Sequence, residues 1–173
     1  MSVDAIYVTI VRLIHIFAAV TWVGGGIFFI SVLAPTVQEA GADGGRFMLH
    51  FARAGRFTRV LTISSVLTVL AGVLLYWHDF QLNFVLITTP SGIAFTLGAI
   101  VGIAAFFDGA FHAGAVSRRM GAVANEVLQS KGPPPPELLQ RAQAAGASMA
   151  SAAMSSIIMA AVALFFMSVA RFL

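Results

Sequence analysis

The chain has 173 residues, of which 59% carry hydrophobic side chains and only 10% are charged. A soluble domain has about 45–50% apolar and about 25% charged residues, so this composition excludes a soluble enzyme, a disordered chain and a fibrous repeat. The absence of cysteine excludes disulfide scaffolds, thiol catalysis, zinc ribbons and cysteine-ligated iron–sulfur clusters. The formal charge of +3 is explained by loops that face anionic lipid, and it indicates no nucleic-acid partner. The composition therefore predicts an integral membrane protein in a lipid bilayer.

The first apolar stretch covers about 7–34 and ends before Pro35. A helix needs about 20 apolar residues to cross the hydrocarbon core, so this stretch is long enough to span a membrane. It carries Arg12 and His15 near its start, and Trp22 follows the histidine by one heptad. The stretch is too long and too charged at its start for a signal peptide, and no small-residue cleavage site follows it. We therefore expect it to remain as a helix in the mature protein.

A short segment over 43–56 follows, in which Phe47, Leu49 and Phe51 lie among arginines, and it also contains His50. This mixture of large apolar and basic side chains predicts an amphipathic helix that lies on the inner membrane surface.

Three further apolar stretches are long enough to cross the membrane, at about 57–77, 92–116 and 149–170. The third span is expected to continue into the cytoplasm over 118–130. It should stop at the Gly-Pro-Pro-Pro-Pro run of 132–136, because proline cannot continue a helix. Residues 137–147 then begin the fourth helix below the membrane. All of 1–173 is expected to form one transmembrane domain of the all-α class.

The basic residues of the loops predict the orientation of the spans. Eight of them lie in the loop between spans one and two or in the loop between spans three and four: Arg46, Arg53, Arg56, Arg59, Arg118, Arg119, Lys131 and Arg141. The loop over 78–91 carries none. The two basic loops are therefore expected to face the cytoplasm, with both termini outside. The prediction is an antiparallel four-helix bundle that crosses the inner (plasma) membrane.

Small residues recur at four-residue intervals in two spans, and three consecutive glycines lie in the first. They are Ala144, Ser148, Ala152, Ser156 and Ala160 in span four, Ala94, Gly98 and Gly102 in span three, and Gly24, Gly25 and Gly26 in span one. Helices associate in membranes through close packing of small residues, which favours tight contact inside the bundle. The alternatives are a self-association face that forms a homo-oligomer, or a flat wall for a planar macrocycle.

Four histidines and one carboxylate are the ionisable groups of greatest interest, because an ionisable residue inside a membrane is costly and is by default a functional candidate. At a rise of about 1.5 Å per residue, His15 and His78 fall on the outer side, whereas His112 and His50 fall on the inner side. His15 and His112 are then about 20 Å apart along the membrane normal, so they do not share one metal. Asp108, one turn before His112, is the only carboxylate deep in a span.

Each histidine also has a structural interpretation. For His15 this is a hydrogen bond to a backbone carbonyl or a threonine hydroxyl, and for the two interfacial histidines it is an ordinary solvated ring. The Asp108–His112 pair suits a metal ligand with its orienting carboxylate, a proton relay, or a structural pair with Arg118.

Neutral imidazole binds both haem iron and copper, and the two metals differ in what must surround it. Haem needs an apolar slot and cations for its propionates. Arg12, three residues before His15, is placed for a propionate, and Trp22 is placed to pack on the porphyrin. On the inner side four arginines offer the same charge near His112: Arg53, Arg56, Arg118 and Arg119. Copper would instead need several His, Met or carboxylate groups that converge, and the methionines of span four do not share one face.

The string Arg-Leu-Ile-His-Ile-Phe-Ala-Ala-Val-Thr-Trp-Val-Gly-Gly over 12–25 resembles the first helix of a superfamily of small four-helix membrane proteins. That superfamily includes the HemJ-type protoporphyrinogen oxidases and the CopD-type copper-resistance membrane domains, and both types have a histidine followed one heptad later by Trp-x-Gly. Arg56-Phe57 and Gly72 are similar to the CopD type, whereas Phe-His-Ala-Gly over 111–114 is similar to the HemJ type. The resemblance implies that His15 is a haem-binding histidine. The chain differs from the HemJ type in having one histidine, not two, at the end of span three.

Together these features predict a membrane protein that binds b-type haem, with His15 as axial ligand and His78, His112 and His50 as further ligand candidates. The expected role is redox: electron transfer with a membrane-bound or lipophilic partner, or oxidation of a porphyrinogen-type substrate. If His15 with His78, and His112 with His50, each bind iron, two haems would form an electron path across the bilayer. The alternatives are copper transport or resistance, and a structural subunit of a larger membrane complex. The chain has no Ser–His–acid triad, phosphate loop or paired carboxylates that would support a hydrolase or a kinase.

Overall fold

The computed structural model describes residues 2–130 and 132–173. Met1 and Lys131, the latter counted above among the basic loop residues, lie outside the described residues. Over the described ranges the regular structure is entirely helical, and four helices are long and apolar enough to cross a membrane. The predicted all-α class and the presence of four such helices are confirmed.

The described residues form six helices: α1 (Val3–Glu39), α2 (Gly41–Ala54), α3 (Arg56–Phe80), α4 (Phe84–Ile87), α5 (Pro90–Gln129) and α6 (Pro136–Phe172). Capping hydrogen bonds and a left-handed glycine mark where some of these helices begin or end. The Ser2 and Thr89 hydroxyls accept hydrogen bonds from the first-turn N–H groups of α1 and α5. Gly55 adopts a left-handed φ of 62° between α2 and α3. The third long helix continues past residue 116 to Gln129, before the proline run, as predicted.

Helix α1 continues through Pro35 to Glu39, beyond the predicted apolar stretch 7–34. A π-helical turn over Phe29–Leu33 precedes the proline. A proline inside a regular α-helix lacks an N–H group, and its ring collides with the carbonyl four residues earlier. The wider π-turn changes this local hydrogen-bond pattern, so the helix accommodates the proline and continues past it.

The four long helices pack as two close pairs, α1 with α3 and α5 with α6, and the two pairs touch each other less extensively. Within the second pair, the Ser91 hydroxyl donates to the Ala170 carbonyl at 2.8 Å, and the Ser156 hydroxyl donates to the Ala105 carbonyl at 3.2 Å. Residue numbers therefore rise in α5 while they fall in α6. The first pair has the same relation, since a Cβ on Gly25 would meet Leu61 whereas His15 lies against Thr68.

Small residues make the contact between α5 and α6 close. Ala94, Gly98, Ala105, Ala152, Ser156, Ala160 and Ala163 are all buried. A Cβ on Gly98 would lie 2.9 Å from Met167 Cγ and 3.2 Å from the Ala163 carbonyl oxygen. These positions therefore serve tight helix contact inside one chain. The first two members of the predicted series, Ala144 and Ser148, are exposed.

Substitution of Gly98 by valine should destabilise the protein by about 1–3 kcal/mol, because the backbone of α6 leaves no room for the new side chain. Gly24→Val is the matched control, since a Cβ on Gly24 of α1 meets nothing within 4 Å. Unfolding in mixed micelles with a rising fraction of denaturing detergent measures both. Equal losses for the two variants would contradict the assignment of Gly98 to a tight helix contact.

Helix α2 is attached to the long helices by phenylalanines. Phe47 and Phe51 of α2 stack with each other, and Phe51 lies 6.3 Å from Phe29 and 5.4 Å from Phe57 between ring centroids. Arg46 and Arg53 of α2 are exposed, and α2 also packs against α5. These contacts place the basic residues of α2 near the first turn of α3 and the second half of α5.

Candidate functional site

His15 lies on the face of α1 that packs into the protein. Val11, Ala18 and Trp22 of the same face are buried, and the histidine ring between them is half-buried. The heptad spacing of these residues brings them onto one side of the helix. His15 Nδ1 lies 2.8 Å from the backbone oxygen of Thr68 on α3. No residue in the described part of the chain forms a hydrogen bond with its other ring nitrogen, Nε2.

The tautomer of His15 follows from that contact. A backbone carbonyl can only accept a hydrogen bond, so Nδ1 must carry the proton and donate it. The lone pair of the neutral ring is then on Nε2. Among the described residues no buried side-chain nitrogen or oxygen lacks a partner, which means that Nε2 is not sealed inside the protein. Nδ1 is therefore held by the Thr68 carbonyl, and the lone pair of Nε2 is available to bind a metal.

Gly72 makes room for the His15 ring on α3. A Cβ at this position would lie 2.9 Å from His15 Cε1 and 3.2 Å from Nδ1, which is closer than van der Waals contact. Only glycine therefore allows the ring to lie this close to the backbone of α3. Gly72 also borders a cavity of about 280 Å³ between α3 and α5, whose walls include Val73, Ile100 and Ile103.

The two side chains predicted to assist His15 are placed differently from each other. Trp22 is buried in contact with Ala105 of α5 and Ala160 of α6, where three long helices meet. Its indole thus fills the centre of the helix packing. Arg12 is exposed on α1, and the described residues offer it no ion pair.

His78, at the end of α3, is bound to carboxylates at both ring nitrogens. Nε2 lies 3.1 Å from Asp4 Oδ1, and Nδ1 lies 3.0 Å from Asp79 Oδ1. A carboxylate accepts a hydrogen bond only from a ring N–H group, so both contacts require the imidazolium form. That form has no lone pair for a metal. His15 contacts Thr68 and Gly72, roughly 9–15 Å earlier along α3, so the structure does not bring the two outer histidines together.

Asp108, near the middle of α5, contacts two other side chains. Its Oδ2 accepts a 2.7 Å hydrogen bond from the Ser155 hydroxyl of α6, and its Oδ1 lies 3.4 Å from His112 Nδ1. The Asp108 side chain is 22% exposed, whereas that of His112 is 56% exposed. A π-helical segment, Asp108–Ala113, contains both residues, and such segments are frequent at functional sites. His112 thus lies beside a carboxylate, and more than half of its side chain is exposed.

The remaining predicted groups do not join this cluster. His50 is exposed on α2, and within the described residues its ring forms no hydrogen bond with His112. Arg118 likewise forms no ion pair with Asp108 there. No group of three or more His, Asp or Glu side chains that could hold a metal ion occurs among the described residues.

Two residues that take part in these sites were not predicted from the sequence. Ser155 was not identified as the partner of Asp108, although two consecutive serines in an apolar span are a polar signal that could have drawn attention to it. Thr68 was also not singled out, and no pattern could have identified it, because its backbone carbonyl makes the contact.

Substitution of Ser155 by alanine should lower stability by about 0.6 kcal/mol and at most about 1.7 kcal/mol, the range for side-chain hydrogen bonds between membrane helices. The Asp108 carboxylate then loses its shortest hydrogen bond. Ser151→Ala, on the exposed side of the same helix, is the matched control and should be neutral. The same detergent unfolding assay measures both, and a neutral Ser155→Ala would show that this bond does not stabilise the pair of helices.

The chain was compared with models of protein families, with curated proteins and with solved structures, and nothing matched. The resemblance of 12–25 to the HemJ and CopD types therefore stays a prediction, and the interpretation of the site depends on its geometry.

Proposed function

We propose that this protein is a multi-pass membrane protein that binds b-type haem through His15 and transfers electrons with a membrane-bound or lipophilic partner. The observation that carries the proposal is that His15 Nδ1 lies 2.8 Å from the Thr68 carbonyl while Nε2 has no hydrogen-bond partner among the described residues and is not sealed inside the protein. The Nδ1 contact by itself equally fits the structural interpretation of His15. A histidine that ligates a metal usually donates its other ring N–H to a carbonyl or carboxylate, which sets the tautomer and the ring orientation. His15 meets this requirement through the backbone of a neighbouring helix.

The surroundings of His15 fit a porphyrin better than a bare copper ion. Haem iron takes four of its ligands from the porphyrin, so the protein needs to supply only one or two. A copper site would need several donors to converge. The described residues place no second histidine, carboxylate or methionine sulfur in hydrogen-bond contact with His15, and on α3 its ring packs directly against Gly72.

Each residue near His15 has a defined part in this proposal. Thr68 orients the ring, Gly72 keeps space beside it, and the exposed Arg12 is a cation for a propionate at the protein surface. Bound haem would supply the one-electron chemistry itself.

The proposed arrangement in the membrane is an antiparallel four-helix bundle with both termini outside and the two basic loops in the cytoplasm. Support comes from the side-chain contacts, in which the start of α1 meets the end of α3 at Asp4 and His78, and the start of α5 meets the end of α6. The distribution of arginines supports the orientation, because positively charged loops remain on the cytoplasmic side. Helix α2 then lies at the inner surface.

A second haem at His112 has weaker support. The 3.4 Å separation between His112 Nδ1 and Asp108 Oδ1 is longer than an ordinary hydrogen bond. His78 is left out of the ligand set, because both of its nitrogens face carboxylates. We therefore propose one haem for each chain.

An absorption spectrum of protein purified in detergent from haem-replete cells tests the proposal. We expect a Soret band, an α band that sharpens on reduction, and one b-type haem for each chain in the pyridine haemochrome assay. Metal analysis of the same sample should give iron and no copper. One copper without iron would support copper handling. A protein with neither metal that takes up no haem on reconstitution would overturn the proposal and leave a structural subunit as the remaining interpretation.

A further inference from the structure

A cavity of about 390 Å³ opens at the basic end of the protein, distant from His15. It lies where α2, the first turns of α3 and the second half of α5 meet. Its wall includes two arginines, Arg59 and Arg118, and three hydroxyl side chains, Thr58, Thr62 and Ser117. From this combination we infer a binding site for the phosphate of an anionic phospholipid headgroup.

The charge of the cavity favours an anion. Arg59 and Arg118 come from different helices, and in the described part of the chain neither forms an ion pair with a carboxylate. Guanidinium groups bind phosphate strongly, through paired N–H···O hydrogen bonds.

The hydroxyl groups add one specific donor to this charge, because Thr62 Oγ1 already donates to the Thr58 carbonyl. Thr58 Oγ1 and Ser117 Oγ lie 2.8 Å apart and hold α3 and α5 together at the cavity wall. This bond uses the proton of one hydroxyl only, so the other hydroxyl keeps a proton that it can donate. A phosphate between the arginines would accept it.

The position of the cavity selects a lipid over a soluble phosphate. Thr58 and Ser117 lie at the ends of the apolar stretches 57–77 and 92–116, at the depth where headgroups meet the hydrocarbon core. The cavity is lined on the α3 side by Ile63, one turn deeper, against which an acyl chain can pack. Basic pockets between membrane helices on the cytoplasmic side are known to bind anionic headgroups.

Arginines at the ends of membrane helices approach lipid headgroups even where there is no binding site. The test must therefore separate a specific site from this general attraction. The test variant is Arg59→Gln/Arg118→Gln. The control variant is Arg46→Gln/Arg53→Gln, which makes the same change of charge at two exposed arginines of α2 that do not line the cavity. Each protein is reconstituted into nanodiscs of phosphatidylcholine with a minor share of phosphatidylglycerol, and the lipid retained after extraction is measured by native mass spectrometry.

We expect the wild-type protein and the control variant to retain phosphatidylglycerol in preference to phosphatidylcholine. The cavity variant should bind it roughly tenfold or more weakly, since each lost charge-assisted hydrogen bond is worth about tenfold in affinity. An equal loss in the control variant would show general attraction to the membrane surface and would overturn the site. Wild-type binding that millimolar inorganic phosphate removes would overturn the assignment to a lipid.

If the double variant does not fold, the Gly121→Leu variant provides a second test of the site. Gly121 lines the cavity, and a Cβ there would meet only the Ala52 carbonyl oxygen, at 3.7 Å, so the backbone tolerates the change. The larger side chain fills the cavity and leaves every charge in place. Loss of phosphatidylglycerol from this variant supports the site, and full retention overturns it. The haem content of the same samples is an independent readout, because this site does not depend on His15.

Discussion

Replacement of His15 by alanine should remove haem from the purified protein. Loss of a residue that merely orients a ligand costs roughly 10–100-fold in metal affinity, and loss of the ligand itself should cost more. His50→Ala is the matched control, because it removes an exposed histidine that is not in contact with the others. The Soret absorbance for each chain, measured after gel filtration, compares the two variants with the wild-type protein.

Added imidazole distinguishes ligation from a structural effect of the same substitution. The space left by the His15 side chain lies next to Gly72, so a free imidazole can enter it and restore the absorption of a histidine-ligated haem. If His15→Ala retains its haem with an unchanged spectrum, His15 is not the axial ligand. If His50→Ala loses as much haem as His15→Ala, the loss does not report on a specific site.

Replacement of Gly72 by valine should reduce haem affinity by roughly 10–100-fold while His15 is still present. A Cβ at residue 72 would lie 2.9 Å from His15 Cε1, so the ring must move away from the Thr68 carbonyl. His15 Nδ1 then loses the contact that sets its tautomer and orientation. Titration of the haem-free protein with haemin, followed at the Soret band, measures the affinity.

Gly24→Val serves as the control for this second experiment, because it adds the same side chain to a membrane helix at a position with open space. We expect that variant to bind haemin as the wild-type protein does. Unchanged affinity in Gly72→Val would mean that the position of the His15 ring is not important for binding. The haem-free Gly72→Val protein should still elute as a folded species, since the ring of His15 can rotate to relieve the contact.

His15 and His78 have different hydrogen-bond partners, although their predicted depths place both on the same side of the membrane. His78 follows the last apolar turn of α3 and meets two carboxylates, one of them from the start of α1. His15 lies against Thr68 and Gly72, and the Thr68 hydroxyl donates to the Ser64 carbonyl, so the His15 N–H donates to the Thr68 carbonyl. A polar group inside the helix packing must find such an acceptor.

Composition and local pattern were sufficient to predict the helical class, the four long apolar helices and the interruption at 132–136. These features depend on the transfer of apolar side chains out of water and on the backbone limits of proline, both of which act over a few adjacent residues. The end of α1 at Glu39 did not follow from the apolar stretch that stops before Pro35, because a single π-turn changes the hydrogen-bond pattern and keeps α1 continuous.

The partners of the polar groups were decided only by the tertiary structure. His15 lies 53 residues from Thr68, and Asp108 lies 47 residues from Ser155. Which residues meet across two helices depends on the register and rotation of the pair, and these are set by close packing of small residues such as Gly72 and Gly98. A shift of α3 by one turn would leave the composition and every apolar stretch unchanged, yet it would put a different carbonyl opposite His15.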